Sequence, residues 1–287
     1  MFVTMKAMIF AAGIGSRLKP ITDTLPKALV PICGEPLLLH LIKKLKRYGY
    51  NDAVINLHHF AQKIKDYVEQ EKNFGINISF SDESDLLRNT GGAIKHAADY
   101  LKGNEPFMVH NVDILSNLDF DDFYNYHMSN SISIDTPLAT VLVSDRKTTR
   151  YLLFDSSNNL VAWMNLSTGE VKSPYEYLRR EADIKVDDPT QGASVTNIDA
   201  LNKSSFDYNA FLQKHNLRKY AFAGIHILSP YVLTLMESYP ERFSIIDFYL
   251  DMADKYNIKG YVAKDLKLVD VGKMDSILLA EEFLKNN

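Results

Sequence analysis

Short apolar runs alternate with amphipathic segments through the first half of the chain. The apolar runs predict buried strands at 6–12, 51–57, 76–81, 106–112 and 139–144. Between them, apolar residues recur at helical spacing and predict helices at 35–48, 60–71, 92–101 and 120–127. This alternation is typical of an α/β fold with a doubly wound, mostly parallel Rossmann-like sheet and helices on both faces.

The second half has a different pattern. A hairpin is predicted at 151–165, and a strand at 220–228 is followed by helices at 230–238, 245–256 and 276–285. The polar stretch at 167–203 has no clear period and is interpreted as a long excursion or a partly ordered loop. No Pro/Gly-rich linker separates the halves. We therefore expect one domain with two lobes, at 5–145 and 146–287, and a polar excursion near 165–215.

Composition and charge exclude several classes of protein. The 287 residues carry a formal net charge of −4, whereas nucleic-acid-binding domains are usually strongly basic. The single cysteine, Cys33, excludes an internal disulfide framework and suits a reducing cytoplasmic location. No apolar run approaches the roughly 20 residues of a membrane helix. We expect no nucleic acid or membrane partner, and a monomer or small homo-oligomer.

A glycine-rich segment follows the first predicted strand, Ala11-Ala12-Gly13-Ile14-Gly15-Ser16-Arg17-Leu18. Two glycines let the backbone approach a ligand closely, and exposed N–H groups can hold phosphate. A simple strand-to-helix turn is the alternative. The segment is not a P-loop, since no Lys-Ser/Thr follows, and Leu18 stands where a dinucleotide fingerprint needs glycine or alanine.

Two basic residues favour phosphate binding. Arg17 lies directly behind the glycine turn, where a guanidinium can contact two phosphate oxygens at once. Pro20, Pro26 and Pro31 predict an extended, stiff strap that carries Lys27 back over the loop. Two cations and a row of amides suit a triphosphate.

Two aspartates follow short apolar runs in distant parts of the chain. Asp113 comes after the fourth predicted strand, where a carboxylate can bind a hard metal in the ligand cleft; a turn or helix cap is the alternative. Asp270 occupies a similar position in Leu268-Val269-Asp270-Val271-Gly272. Taken alone, it carries no functional signal.

The run Ala11-Ala12-Gly13-x-Gly15-x-Arg17-Leu18-x-Pro20-x-Thr22-(3)-Pro26-Lys27-x-Leu29-x-Pro31 resembles the signature of the sugar-1-phosphate nucleotidyltransferases. The resemblance implies the nucleotide-diphospho-sugar transferase fold and a Mg²⁺-dependent transfer from an NTP to a sugar 1-phosphate. It implies that the loop residues Ala11, Ala12, Gly13 and Gly15 hold the NTP, that Arg17 contacts its phosphates and that Lys27 bridges them. Asn111-x-Asp113 and Asp270-x-Gly272 match its metal motifs, so Asp113 and Asp270 are expected to bind the ion.

The same resemblance extends to the base and sugar ends of the cleft. In Asn89-Thr90-Gly91-Gly92-Ala93, it implies that Asn89, Gly91 and Gly92 contact the nucleobase; helix capping by Asn89 or Thr90 is the alternative. Asn111 and Gly224 are the corresponding candidates for sugar binding, whereas His226 is expected to be a packing residue.

One family feature has no true match. Many relatives carry a Glu-Lys-Pro segment whose lysine holds the sugar phosphate, and here Lys172 is only a weak candidate. The segment 56–59 and the Asn89 turn favour the compact branch with mannose- and heptose-1-phosphate guanylyltransferases and N-acetylmuramate-1-phosphate uridylyltransferases. Two alternatives remain open: a cytidylyltransferase for a phosphorylated alcohol such as phosphocholine, and a non-catalytic nucleotide-sugar sensor.

Overall fold

The structure is a computed structural model that describes residues 5–129, 136–183 and 207–286. In chain order, the strands of the described residues are Met5–Phe10 (β1), Pro31–Ile32 (β2), Glu35–Pro36 (β3), Tyr50–Leu57 (β4), Asn77–Asp82 (β5), Phe107–Asn111 (β6), Ile114–Ser116 (β7), Ala139–Ser144 (β8), Arg150–Phe154 (β9), Leu160–Asn165 (β10), Val171–Lys172 (β11), Arg218–Leu228 (β12), Ile258–Val262 (β13) and Leu268–Asp270 (β14).

The α-helices are Leu37–Arg47 (α1), Ala61–Gln70 (α2), Asn89–His96 (α3), Ala98–Leu101 (α4), Phe120–Ser129 (α5), Glu176–Asp183 (α6), Tyr208–Lys214 (α7), Tyr231–Met236 (α8), Ile245–Met252 (α9) and Asp275–Lys285 (α10). Short 3₁₀ turns occupy Ser16–Leu18, Ile21–Asp23, Lys27–Leu29 and Lys72–Gly75. Within the described ranges, no helix is long and apolar enough to span a bilayer.

The first half of the chain forms the parallel part of the central sheet. Strand β1 pairs in parallel with both β4 and β6, and β4 pairs in parallel with β5. Helices α1 and α2 connect strands of this part, as expected for parallel neighbours. The carboxyl ends of these strands therefore meet along one edge, where ligands of such sheets bind.

The second half extends the same sheet with mainly antiparallel strands. Strand β12 pairs antiparallel with β6, β8 and β9, and the hairpin of β9 and β10 continues to β11. Only β13 pairs in parallel there, with β8, among the described strands. The expected α/β fold with a doubly wound sheet is confirmed, and its antiparallel part belongs to the second half.

A small ribbon lies outside the central sheet and joins distant parts of the chain. Strand β14 pairs antiparallel with β7, so that Asp270 lies opposite Ile114. Each strand has only three residues. The sequence prediction omitted β7, β13 and α7, and it treated the run at β14 only as a short apolar segment.

Apolar side chains cover both faces of the sheet. Helix α1 buries Leu38, Leu41, Ile42 and Leu45 in one cluster, which also contains Ile9 of β1. A second cluster on the other face contains Val109 of β6 and Phe248 of α9. The core is thus built by the strands and by helices with one apolar stripe, as the periodicity predicted.

Two further predicted segments differ from the structure. The helix predicted at 92–101 begins at Asn89 and is interrupted at Ala97, which gives α3 and α4. The stretch at 167–203 includes β11 and α6, and its residues 184–203 lie outside the described residues. Helix α6 consists mostly of polar residues, so apolar periodicity did not predict it.

Candidate active site

The glycine loop after β1 is fixed by a buried amide. Asn56 at the end of β4 accepts hydrogen bonds at its Oδ1 from the backbone N–H groups of Ala11 (2.7 Å) and Ala12 (3.3 Å). These two amides are therefore engaged inside the protein rather than free for phosphate. Gly13 has open space around its Cα, since a Cβ there would meet nothing within 4 Å.

Gly15 shapes the turn between the loop and the strap. Its φ is +69°, and a Cβ would lie 3.0 Å from Cγ2 of Thr22 and 3.2 Å from Cβ of Lys27. The hydroxyl of Thr22 donates to the Gly15 carbonyl at 2.8 Å. Glycine is thus required both for the left-handed backbone and for close packing of the strap.

The expectation of an extended strap is wrong in its local conformation. Three successive 3₁₀ turns replace extended chain between Ser16 and Leu29. They are anchored by the buried side chains of Leu18 and Ala28. The strap nevertheless carries Lys27 to the sheet edge, where its Nζ donates to Oδ2 of Asp113.

The two distant aspartates meet at this edge. The N–H of Val271 donates to the carbonyl of Asp113 at 2.8 Å, so the ribbon of β7 and β14 places Asp270 beside Asp113. Oδ1 of Asp270 is buried and has no hydrogen-bond partner among the described residues. Arg17 approaches from the strap, since a Cβ on Gly272 would lie 2.8 Å from that oxygen and 2.9 Å from Nη2 of Arg17.

These carboxylates suit a hard divalent cation. Mg²⁺ binds one or two protein carboxylates and completes its shell with phosphate oxygens and water. Asp113 and the unpartnered oxygen of Asp270 provide that donor type. The described residues contain no group of three or more His, Cys, Asp or Glu side chains that could hold a metal ion.

A cavity of about 440 Å³ opens beside this edge and is called the first cavity. Seven of the candidate residues line it, namely Ala11, Ala12, Gly13, Lys27, Asn89, Asn111 and Asp113. The other candidates lie outside its lining, namely Gly15, Arg17, Gly91, Gly92, Gly224 and Asp270.

Gly91 and Gly92, which the sequence predicted to contact the nucleobase, are covered by the chain at 241–243. The N–H groups of Gly91 and Gly92 donate to the carbonyl of Phe243 at 3.0 and 3.2 Å. A Cβ on Gly91 would lie 2.3 Å from the Phe243 ring, and one on Gly92 would lie 2.1 Å from the carbonyl oxygen of Glu241. The two glycines therefore leave space for the chain at 241–243. This differs from the expectation that they contact the nucleobase.

Asn89 and Thr90 remain at the wall of the first cavity. Asn89 has φ +61° and is exposed, and its Oδ1 accepts the Thr90 N–H at 2.8 Å. The hydroxyl of Thr90 accepts the Ile245 N–H at 3.0 Å. Neither side chain caps the start of α3, so the capping alternative is not what the structure has.

Gly224 shapes the sugar side through its neighbour. It has φ +76° and lies within a register shift of β12 between Phe222 and His226. A Cβ there would lie 2.7 Å from Nδ2 of Asn111, which lines the first cavity. The glycine thus leaves space for the asparagine rather than for a ligand directly.

Two buried histidines lie near the site, His110 in β6 and His226 in β12. Burial lowers the pKa of His110 and of His226 to about 3, so both are neutral at neutral pH. Nδ1 of His226 forms a hydrogen bond with the Tyr249 hydroxyl. Its burial and contacts agree with the packing role expected for His226.

The family follows from comparison with known proteins. Residues 6–162 match the family model described as "Nucleotidyl transferase". The chain belongs to this family. The resemblance of the Gly13 loop and its strap to the family signature is thereby confirmed.

Curated family relatives align with part of the chain. The N-acetylmuramate alpha-1-phosphate uridylyltransferase of Neisseria meningitidis is 40% identical over 116 residues, covering 40% of this chain and 50% of the relative. Mannose-1-phosphate guanyltransferase beta-B of Xenopus laevis is 38% identical over 125 residues, covering 43% of this chain and 34% of the relative. The chain thus spans half or less of the length of these relatives.

Solved structures extend the likeness to the whole fold. A putative glucose-1-phosphate thymidylyltransferase from Bacillus anthracis matches with a TM-score of 0.70 at 17% identity, over 99% of this chain and 96% of that one. HddC from Yersinia pseudotuberculosis, complexed with GMP-PN, matches with a TM-score of 0.64 at 22% identity, over 98% and 100%. These solved structures share the fold of both halves.

Seven residues that line the first cavity were not candidates from the sequence, among them Asn56, Glu83 and Arg242. Asn56 lies at the end of β4 and Glu83 directly after β5, and the Asn56 side chain donates a buried hydrogen bond of 2.9 Å to Glu83. The rule that ligands bind beyond the carboxyl ends of strands could have found both. Arg242 also lines the cavity, but it follows no strand and has no sequence signal.

Proposed function

We propose that the chain joins an NTP and a sugar 1-phosphate to give a nucleoside diphosphate sugar and pyrophosphate. The observation that carries this proposal is the meeting of Lys27 and Arg17 with Asp113 and Asp270 at one edge of the sheet. Opposed cations and carboxylates beside a cavity of about 440 Å³ suit a polyphosphate with a divalent cation. The relatives named for uridylyl and guanylyl transfer to sugar 1-phosphates support the same reaction.

The reaction needs no proton transfer from the protein. An oxygen of the sugar phosphate attacks the α-phosphorus of the NTP in line, and the bond from that phosphorus to the bridging oxygen of the β-phosphate breaks. The electron pair leaves with pyrophosphate. The attacking phosphate dianion is already nucleophilic at neutral pH, so catalysis consists of positioning and charge stabilisation.

The cationic side chains would bind the phosphates. Lys27 is mostly buried at the cavity wall, with its side chain 12% exposed, and can neutralise charge at the transferred phosphorus. Arg17 is exposed beside Gly272 and can contact the leaving phosphates. Both positions place positive charge where negative charge accumulates during the transfer.

Asp113 and Asp270 would hold Mg²⁺, the cofactor we propose. When bound, the ion supplies neutralising charge to the phosphate oxygens. Lys27 contacts Oδ2 of Asp113, so this carboxylate would be shared between the ammonium group and the cation. Oδ1 of Asp270 would gain the partner that it lacks among the described residues.

The remaining wall of the first cavity would distinguish the substrates. Asn89, Thr90 and Arg242 form the side near the glycine turn and would contact the base, while Asn111 would contact the sugar. We further propose that 5–145 is the nucleotide-binding lobe and 146–287 the sugar-binding lobe. We propose a cytoplasmic location, since the low cysteine content suits a reducing compartment, and a monomer or small homo-oligomer.

A substrate matrix tests this function. Four NTPs are combined with common sugar 1-phosphates and with phosphocholine, and pyrophosphate release is measured with Mg²⁺ and with excess EDTA. We expect Mg²⁺-dependent release from at least one sugar phosphate pair. Activity with CTP and phosphocholine alone would establish the cytidylyltransferase alternative, and a matrix without any release would refute the enzymatic function.

A further inference from the structure

A second cavity of about 380 Å³ lies between the β9–β10 hairpin and the chain at 244–247. The residues that determine its chemistry are Arg146, Arg150, Lys172, Asp247, Trp163 and Ser244. Of these residues, only Lys172 was a candidate from the sequence. The second cavity is thus distinct in its lining from the first cavity.

The two cavities adjoin along two segments of chain. Arg242 lines the first cavity and Ser244 the second. On β12, Phe222 lines the second cavity, and Gly224, two residues later, packs against Asn111 of the first. The two linings therefore use neighbouring residues of the same two segments.

The lining of the second cavity has an excess of positive charge. Lys172 is balanced by Asp247, with 3.1 Å between Nζ and Oδ1. Arg146 donates to the Phe222 carbonyl at 3.1 Å, which fixes its side chain without neutralising it. The guanidinium of Arg150 has no protein partner in the described ranges. Two arginine charges are therefore available to a ligand.

An aromatic wall accompanies these charges. The ring of Trp163 is partly buried and lies 5.4 Å from Nζ of Lys172. A flat apolar face next to hydroxyl and charged groups is the usual lining of a site for a small polar molecule. This combination fits a sugar ring with an anionic group attached better than it fits a neutral sugar.

We propose that the second cavity binds an anionic substituent of the acceptor sugar, a carboxylate or a second phosphate, through Arg146 and Arg150. The proposal deepens the proposed function and rests on it. The acceptor is then an acidic sugar 1-phosphate, whose reacting phosphate lies beside Asp113 in the first cavity. A bidentate contact from a guanidinium would fix the acid group and the orientation of the sugar ring.

Matched acceptors test this inference by titration calorimetry. N-acetylglucosamine 1-phosphate is compared with N-acetylmuramate 1-phosphate, and glucose 1-phosphate with glucuronate 1-phosphate and with glucose 1,6-bisphosphate. We expect at least one acidic acceptor to bind about tenfold to a hundredfold more tightly than its neutral match, the range for one charged hydrogen bond. The two kinds of acidic acceptor distinguish carboxylate from phosphate.

Two variants locate the effect. Arg150→Gln is expected to remove the preference for the acidic acceptor and to leave the affinity for its neutral match unchanged. Lys147→Gln removes an exposed charge from the same segment outside the cavity lining and is expected to keep the preference. Equal affinity for acidic and neutral acceptors, or a preference that survives Arg150→Gln, would overturn the inference. Because binding is measured, this result is independent of whether pyrophosphate is released.

Discussion

Replacing Gly224 by alanine tests whether the sugar side is built as described. The new Cβ would lie 2.7 Å from Nδ2 of Asn111, against the roughly 3.5 Å of an optimal contact. The backbone at φ +76° adds a cost of about 1–2 kcal/mol for a residue with a Cβ. Overpacking adds about 1–3 kcal/mol, because β12 is buried between its neighbours.

These costs predict a clear loss of stability. Together they lower the free energy of unfolding by roughly 2–5 kcal/mol. In domains near this size, each kcal/mol corresponds to about 2–4 °C in Tm, so we expect a fall of roughly 4–20 °C. Pyrophosphate release should also decrease, since Asn111 must move away from its place in the first cavity.

Gly13→Ala is the matched control for this measurement. A Cβ at Gly13 would meet nothing within 4 Å, and Gly13 is outside the set of positive-φ glycines. Thermal unfolding followed by calorimetry should therefore give the Gly13 variant a nearly unchanged Tm. If the Gly224 variant melts at the wild-type temperature, or if both variants lose the same stability, the packing argument is refuted.

Three further predictions concern charge and protonation. Asp113→Asn should lower the turnover number about a hundredfold or more, because one group that stabilises charge in the transition state is lost, while Tm stays unchanged. Near-normal pyrophosphate release would contradict the proposed role of Asp113. Glu83→Gln should lower the free energy of unfolding by about 1–3 kcal/mol in chemical denaturation. Asn56 and the Arg88 N–H donate to different oxygens of Glu83, and glutamine replaces one of these acceptors by a donor, so an unchanged midpoint would contradict this reasoning. His110 and His226 should make stability fall as pH decreases from about 6.5 towards 3, by up to about 1.4 kcal/mol per pH unit for each histidine, because the unfolded chain binds protons that the folded chain excludes. A melting temperature that is as pH-dependent in His226→Phe as in the wild type would argue against a contribution from that residue.

The sequence predicted the parts of the site that lie within one short segment. The loop around Gly13, the basic residues behind it and the strand that precedes them occupy neighbouring positions, so spacing and residue type are sufficient. The same holds for α1, whose apolar stripe has the helical period. The local turn geometry was predicted less well from the sequence. The strap from Ser16 to Leu29 forms 3₁₀ turns instead of the predicted extended chain.

Contacts between distant segments could not be predicted from the spacing and type of neighbouring residues. Strands β7 and β14 have three residues each, too few for a detectable period, yet their pairing brings Asp270 to Asp113. The role of Gly91 also depends on the distant Phe243, which occupies the space and accepts the hydrogen bond. A local motif cannot show which side of a glycine turn another segment covers.

The sequence by itself determined the alternating α/β architecture and the glycine loop with its two cations, because periodicity, turn chemistry and motif spacing act over a few neighbouring residues. The tertiary structure decided how the two aspartates matched by the family motifs reach these cations, which amides remain free and where Arg150 and Trp163 line a second cavity. Strand order and register set these contacts, and both depend on packing over the whole chain.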